Sequence, residues 1–190
     1  MAPKNKFTKE QIIDAAFEIA CIEGLQGITI RKVADQLGSS IAPIYVNFTD
    51  INELIKEVVK KVSEISKQYL SEINSGNPFH DIGVASVRFA KDYSVLFRDL
   101  VMRPNDHLQD YDENMGNDLV EMMKEDADLE GLSSEELKLI LLKMRIFQTG
   151  LSVMVANGLL PHSVSEEQII ELLDSTASDL IVAARYRRQS

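Results

Sequence analysis

Apolar residues recur along this chain at three- and four-residue spacing, a period that divides it into a succession of helices. Ile12, Ile13, Ala16, Phe17 and Ala20 mark the first, opened by a Thr8–Gln11 capping box with Phe7 stapled against Ile12, and closed by Gly24. Ile30, Val33, Ala34 and Leu37 mark the second, with Thr29 as N-cap, Ile28 and Val33 as a staple, and Gly38 as the left-handed residue that ends it. After the turn Gly38-Ser39, Ser40 is expected to cap a third helix over 41–47, reaching only the N–H of Ala42. Pro43 is then the third helical residue, where its missing N–H has no intrahelical partner to lose.

A long fourth helix is predicted from Thr49 or Asp50, with Leu54, Val58, Val62, Ile65 and Tyr69 on one face, up to the break at Gly76 and Asn77-Pro78. Asn77 and Pro78 suit the cap and first residue of the next helix, which carries Ile82, Ala85 and Phe89. A short helix over 93–102 ends before Pro104. From Asp106 to Glu130 ten acidic residues face one lysine, and Leu108, Tyr111, Met115, Leu119, Met122 and Met123 anchor what reads as a one-sided, solvent-facing helix. Capping boxes Ser133–Glu136 and Ser165–Gln168 open two final helices over 134–156 and 166–187. Asn157-Gly158 and Pro161 between them imply an antiparallel hairpin. No stretch alternates as a strand does, so the fold expected is all-α.

The second and third helices with their glycine turn read as a helix-turn-helix. The third has little apolar stripe beyond Ile44 and Phe48, so much of its surface is presented outward, and a DNA major groove is wide enough to accept it. Thr29, Arg31, Val33, Ala34, Gly38, Ser40, Tyr45, Phe48 and Glu53-Leu54 together resemble the DNA-binding domain of TetR-type bacterial transcriptional regulators, over about residues 8–55. One position departs: the lysine that the family uses against a phosphate three residues after the phenylalanine is Ile51 here. Ile51 either sits at the DNA backbone or packs beneath the recognition helix.

The resemblance implies a homodimeric repressor with a helix-turn-helix head in 1–48 and a helical effector-binding and dimerisation body in 49–190, joined by the long helix. It further implies that a small effector in the body releases a palindromic double-stranded DNA operator. Thr29, Arg31, Ser39, Ser40, Ile41, Ala42, Pro43, Tyr45, Asn47 and Thr49 are the candidate DNA-binding residues. Tyr45 is expected at a phosphate, with ring packing as its plain alternative. Lys4, Lys6 and Lys9 could form a basic arm or a frayed terminus.

Charge sharpens this division. Residues 1–62 hold eight Lys/Arg and eight Asp/Glu, so the net charge of −10 lies in 63–190, away from the head. A neutral head binds non-specific DNA weakly and leaves more of the affinity to specific contacts. With 45% apolar and 26% charged residues the composition is that of a soluble globular protein. Uninterrupted apolar runs such as Leu139–Leu142 fall far short of a membrane span, and MAPKNKF lacks a signal-peptide core, so a cytoplasmic location is expected.

Chemistry is sparse. Cys21, the single cysteine, is expected as a buried small hydrophobe. His80, His107 and His162 have no zinc spacing, and no phosphate loop or nucleophile elbow occurs, so no metal, cofactor or enzymatic activity is expected. Phe89, Tyr93, Phe97, Met102, Met122, Met144 and Phe147 supply adaptable apolar side chains for an effector cavity, or an ordinary core. The last two helices carry more apolar residues than one face needs, and Leu151, Val155, Leu173, Thr176 and Leu180 are the candidate dimer interface. A helical adaptor that binds proteins through its head and dimer face is the alternative reading. Salt-dependent binding to a palindromic duplex separates the two.

Overall fold

The computed structural model describes residues 7–102 and 109–189, and the side chains of 7–100 and 116–188. Lys4, Lys6, His107 and Leu108 lie outside the described residues, as do the side chains of Met102, Tyr111 and Met115. The described chain is all-α: α1 Lys9–Glu23, α2 Ile30–Gln36, α3 Ala42–Asn47, α4 Ile51–Ile73, α5 Pro78–Asp92, α6 Ser94–Met102, α7 Gln109–Met123, α8 Ser134–Ala156 and α9 Glu166–Gln189. Two short 3₁₀ turns, Leu25–Gly27 and Ala127–Leu129, complete it.

The boundaries follow local chemistry. Thr8–Gln11 and Ser133–Glu136 form full capping boxes, and Ser165 and Gln168 exchange the same pair of bonds at the start of α9. Asn77 Oδ1 accepts the His80 N–H at 2.9 Å, with Pro78 as the first residue of α5. α4 stops three residues before Gly76, because Asn74 already turns the chain with φ +34°.

Two compact units emerge, and neither is continuous in sequence. The first is Met1–Ile65 with Tyr93–Gln109; the second is Ser66–Asp92 with Asp110–Ser190. The chain therefore passes between them three times, whereas the head and body of the sequence reading were divided once, at 48/49.

In the first unit Ile12, Ala16, Ala20, Leu25, Val33, Ile44, Phe48, Leu54, Val58 and Leu96 are buried, and α6 packs on α1. Phe17 and Tyr93 meet edge to face at 5.6 Å between ring centroids. Asp99 Oδ2 accepts the Leu25 N–H at 2.6 Å beside Gly24, whose φ of +77° ends α1. Cys21 is only half-buried, on the boundary of α1's packed face, and burial pushes its thiol pKa up.

The second unit is built on α5, α8 and α9, which pack on one another around Phe79, Ile82, Met123, Leu137, Ile140, Met144, Leu151, Ile169 and Leu173. Arg188 near the end of α9 pairs with Glu136 at the start of α8, so these two helices run antiparallel. The acidic stretch is not wholly solvent-facing. Asp126 is 4% exposed, and its carboxylate accepts the backbone N–H of Asp128 at 2.8 Å and of Phe79 at 3.3 Å. Taken as one helix, Ser134–Ala156 is long and apolar enough to cross a membrane by length and composition alone, a test that the core helix of a globular protein also passes. It reaches that hydropathy because apolar residues line both its core side and an outer side bearing Leu139, Leu142 and Ile146.

Candidate nucleic-acid interface

The turn between α2 and α3 is fixed by backbone bonds. Gly38 N–H donates to Asp35 O at 3.0 Å and Ser39 N–H to Ala34 O at 2.9 Å, the two-bond C-terminal cap that needs a left-handed residue at Gly38. Gly38 has φ +59° and open space around its missing side chain. α3 begins one residue later than the sequence suggests. Ile41 is already helical at φ −70°, ψ −17°, and its carbonyl accepts from Ile44 and Tyr45, so Ile41 occupies the cap position and Ser40 caps nothing. Pro43 remains in the first turn, as its chemistry requires.

Ile44 and Phe48 are buried and hold α3 against the head. Ile41, Ala42, Tyr45 and Val46 share the opposite face, with Ile41 47%, Tyr45 55% and Val46 65% exposed. Val46 was missing from the sequence-derived set, although its place four residues after Ala42 signals the same face.

Several candidate polar side chains are already engaged. Asn47 Nδ2 donates to Pro43 O at 2.8 Å. Thr49 donates both its N–H and its hydroxyl to Glu53 Oε2 at 2.7 Å, which holds the Glu53 carboxyl below its usual range. Asp50 Oδ1 accepts the N–H groups of Asn52 and Glu53 at 2.7 and 2.9 Å. The start of α4 is thus capped by two carboxylates, which weighs against a phosphate there, and Ile51 between them is half-buried. Thr29 Oγ1 accepts the Lys32 N–H at 3.2 Å, and its hydroxyl proton remains available to donate. Arg31 and Ser40 are exposed and Ser39 is half-buried. Lys9, Lys32 and Lys61 pair with Glu57, Glu23 and Asp14.

The effector candidates with described side chains are divided between the two units. Tyr93 and Phe97 belong to the first unit; Phe89, Met122, Met144 and Phe147 belong to the second. Met144 sits in the second core with Phe147 against it, and Met123, rather than its neighbour Met122, is fully buried there. The second unit has a cleft of about 330 Å³ lined by other residues, among them Phe79, His80, Asp126, Asp128, Asp174 and Ile181. His80 Nδ1 lies 2.6 Å from Asp174 Oδ1 in its wall. Among the described residues no three His, Cys, Asp or Glu side chains converge as metal ligands.

Leu151 and Leu173 lie inside the second core, and Val155 and Leu180 pack partly buried against it. Thr176 Oγ1 donates back to Leu172 O at 2.8 Å. The exposed large apolar residues on these helices are Leu139, Leu142, Ile146 and Met154 of α8 and Leu172, Val182 and Tyr186 of α9. Helical spacing alone shows two stripes on each helix without showing which is turned inward.

The described architecture is that of the TetR-type regulators: a helix-turn-helix at the N-terminal end of an all-α chain. The chain matches a transcriptional regulator from Rhodococcus sp. RHA1 with a TM-score of 0.70 at 17% identity, over 93% of this chain and 97% of that one. It matches a TetR variant from Acinetobacter baumannii AYE, crystallised with minocycline, with a TM-score of 0.61 at 16% identity, over 97% and 100%. In sequence it is 32% identical over 65 residues to the HTH-type transcriptional repressor DrrR1 of Streptomyces coeruleorubidus. That match spans 34% of this chain and 24% of that repressor. No family model matches the chain.

Proposed function

We propose that this protein is a homodimeric, sequence-specific DNA-binding repressor whose α3 enters the major groove, with a small effector acting through the second unit to release it. The observation that carries this reading is the outward face of α3. A six-residue helix held by Ile44 and Phe48 presents Ile41, Ala42, Tyr45 and Val46 away from the head, at the end of a rigid glycine turn. A face of this kind without a partner leaves apolar surface in water; a groove covers it. Selection from random duplexes tests the reading, since a dimer should recover a two-fold symmetric site with half-sites about one helical turn apart or a multiple of it. A protein-binding adaptor would recover no duplex.

Tyr45 is the residue assigned to a phosphate. Tyr45→Phe removes only its hydroxyl, and is expected to weaken binding by about 1 kcal/mol to a similar degree on every sequence. Titration against the selected operator and a scrambled duplex measures both losses; an unchanged affinity would leave the ring as packing.

The dimer is assigned to the outer faces of α8 and α9. Ile146 is 67% exposed in the single chain, so Ile146→Glu should leave each chain folded while placing a desolvated charge in the interface. Sedimentation should then show a folded monomer where the parent sediments as a dimer. Effector control requires a ligand with different affinities for the binding and non-binding states of that dimer. TetR-type proteins lend support through the minocycline complex, and the second unit's cleft supplies a concave surface.

A further inference from the structure

We infer that the head reads its operator through thymine methyl groups, by aliphatic contact from Ile41, Ala42 and Val46, rather than by side-chain hydrogen bonds from α3 to base edges. The inference rests on the reading that α3 enters the major groove, and it follows from what that helix offers there. Ile41, Ala42 and Val46 present only C–H groups, and they lie together on the exposed face with Tyr45. The amide of Asn47 would be the adenine reader of a helix like this. One of the two N–H groups on its Nδ2 is bonded to Pro43 O at 2.8 Å, which ties the half-buried amide back on its own helix and leaves it a single N–H to donate. Pro43 has no N–H. Beyond the C-terminal end of the helix, the Thr49 hydroxyl is bonded to Glu53 at 2.7 Å.

In the major groove the thymine C5 methyl is the one apolar group that stands out among the four bases; cytosine has only a C5–H there, beside its N4 amino donor, and the purines present N7 with an amino donor or a carbonyl acceptor. An aliphatic side chain pressed on a cytosine amino group or a guanine carbonyl leaves that polar group dry and unpaired. Pressed on a thymine methyl it removes apolar surface from water from both partners. The face formed by Ile41, Ala42 and Val46 therefore selects 5-methylpyrimidines at the positions it covers. Tyr45, Arg31 and the serines of the turn remain for the backbone and the flanks.

The experiment begins with an operator selected from random duplexes and replaces its thymines by deoxyuracil, one position at a time. The base pairing is retained and only the methyl is lost. At the positions under α3 in each half-site, affinity is expected to fall about fourfold per methyl removed, the equivalent of one buried carbon. Thymines elsewhere in the site should tolerate the change. Ile41→Ala and Val46→Ala should each abolish the preference of thymine over uracil at one position while leaving the melting temperature of the head near that of the parent, since both side chains are exposed. An operator bound equally well with uracil at every position, or a preference unaltered in Val46→Ala, overturns the inference and leaves DNA binding standing. Recovery of no duplex from the random pool overturns the reading beneath it as well.

Discussion

Leu173→Glu is expected to unfold the second unit rather than to separate two folded chains. Leu173 is 2% exposed and belongs to the cluster formed by Phe79, Ile82, Leu137, Ile140 and Met144, with no basic side chain among its members. Gly83 of α5 faces it closely: a side chain added there would sit 3.8 Å from the leucine's Cδ1. A carboxylate at this position would be buried without a partner and would also forfeit the leucine's packing, a combined cost of about 4 kcal/mol or more. That is a large share of the roughly 5–15 kcal/mol by which a native domain is stable. Denaturant titration by circular dichroism should show a large loss of midpoint, and sedimentation of the surviving soluble fraction should not show a native monomer. The contrast with Ile146→Glu is the informative part. Both put the same charge on a neighbouring helix of one hairpin, but one faces the core and the other faces out.

Gly24→Ala should be nearly as damaging, by strain. Gly24 has φ +77° and ψ 175°, a combination that is essentially closed to any residue with a Cβ. A Cβ placed there would lie 2.9 Å from Asp99 Oδ2 and 3.2 Å from Asp99 Cβ, so relief requires Asp99 to leave its bond to the Leu25 N–H. Strain and lost hydrogen bond together are expected to cost about 3 kcal/mol. Gly38→Ala is the control. Its φ of +59° is the ordinary left-handed region, and nothing lies within 4 Å of the added carbon, so a loss of about 1 kcal/mol is expected. In Asp99→Ala the contacts with the carboxylate are removed, but the 3.2 Å contact with Cβ and the backbone strain are not, so Gly24→Ala should remain costly in that background. Equal melting temperatures for the two glycine variants would contradict this account.

Helix ends were legible in the sequence because they are local chemistry. Thr8, Thr29, Ser133 and Ser165 each bond the backbone as their type and spacing imply, and Gly38 ends α2 with the bonds a left-handed glycine makes. The inner face of α3 was legible for a related reason, since Ile44 and Phe48 are the large apolar pair at helical spacing that the head buries. What sequence could not supply was the choice between equivalent stripes. Leu151 and Leu173 look as suited to an interface as Ile146 and Val182 do; only the packing of α5 against α8 and α9 decides which are covered. Side-chain bonds across a turn were equally hidden. Asn47 and Thr49 are residue types that bind DNA readily, and their engagement with Pro43 and Glu53 appears only in three dimensions. A buried Asp126 within an acidic stretch has the same origin, because its two backbone donors come from segments 47 residues apart and two residues apart.

The chain's three passages between its compact units bear on how such a protein can be cut and recombined. A fragment ending at Ile65 would hold the whole helix-turn-helix but would lack Leu96, which is fully buried, the Tyr93 ring against Phe17, and the Asp99 carboxylate at Leu25. The head is therefore not a cassette that one crossover can transplant. Under the proposed function, grafting its binding specificity onto another chain means either moving 93–109 along with it, at two further junctions, or changing only the outward residues of α3 and leaving the scaffold in place. The second route alters four side chains, Ile41, Ala42, Tyr45 and Val46, none of which the first unit buries.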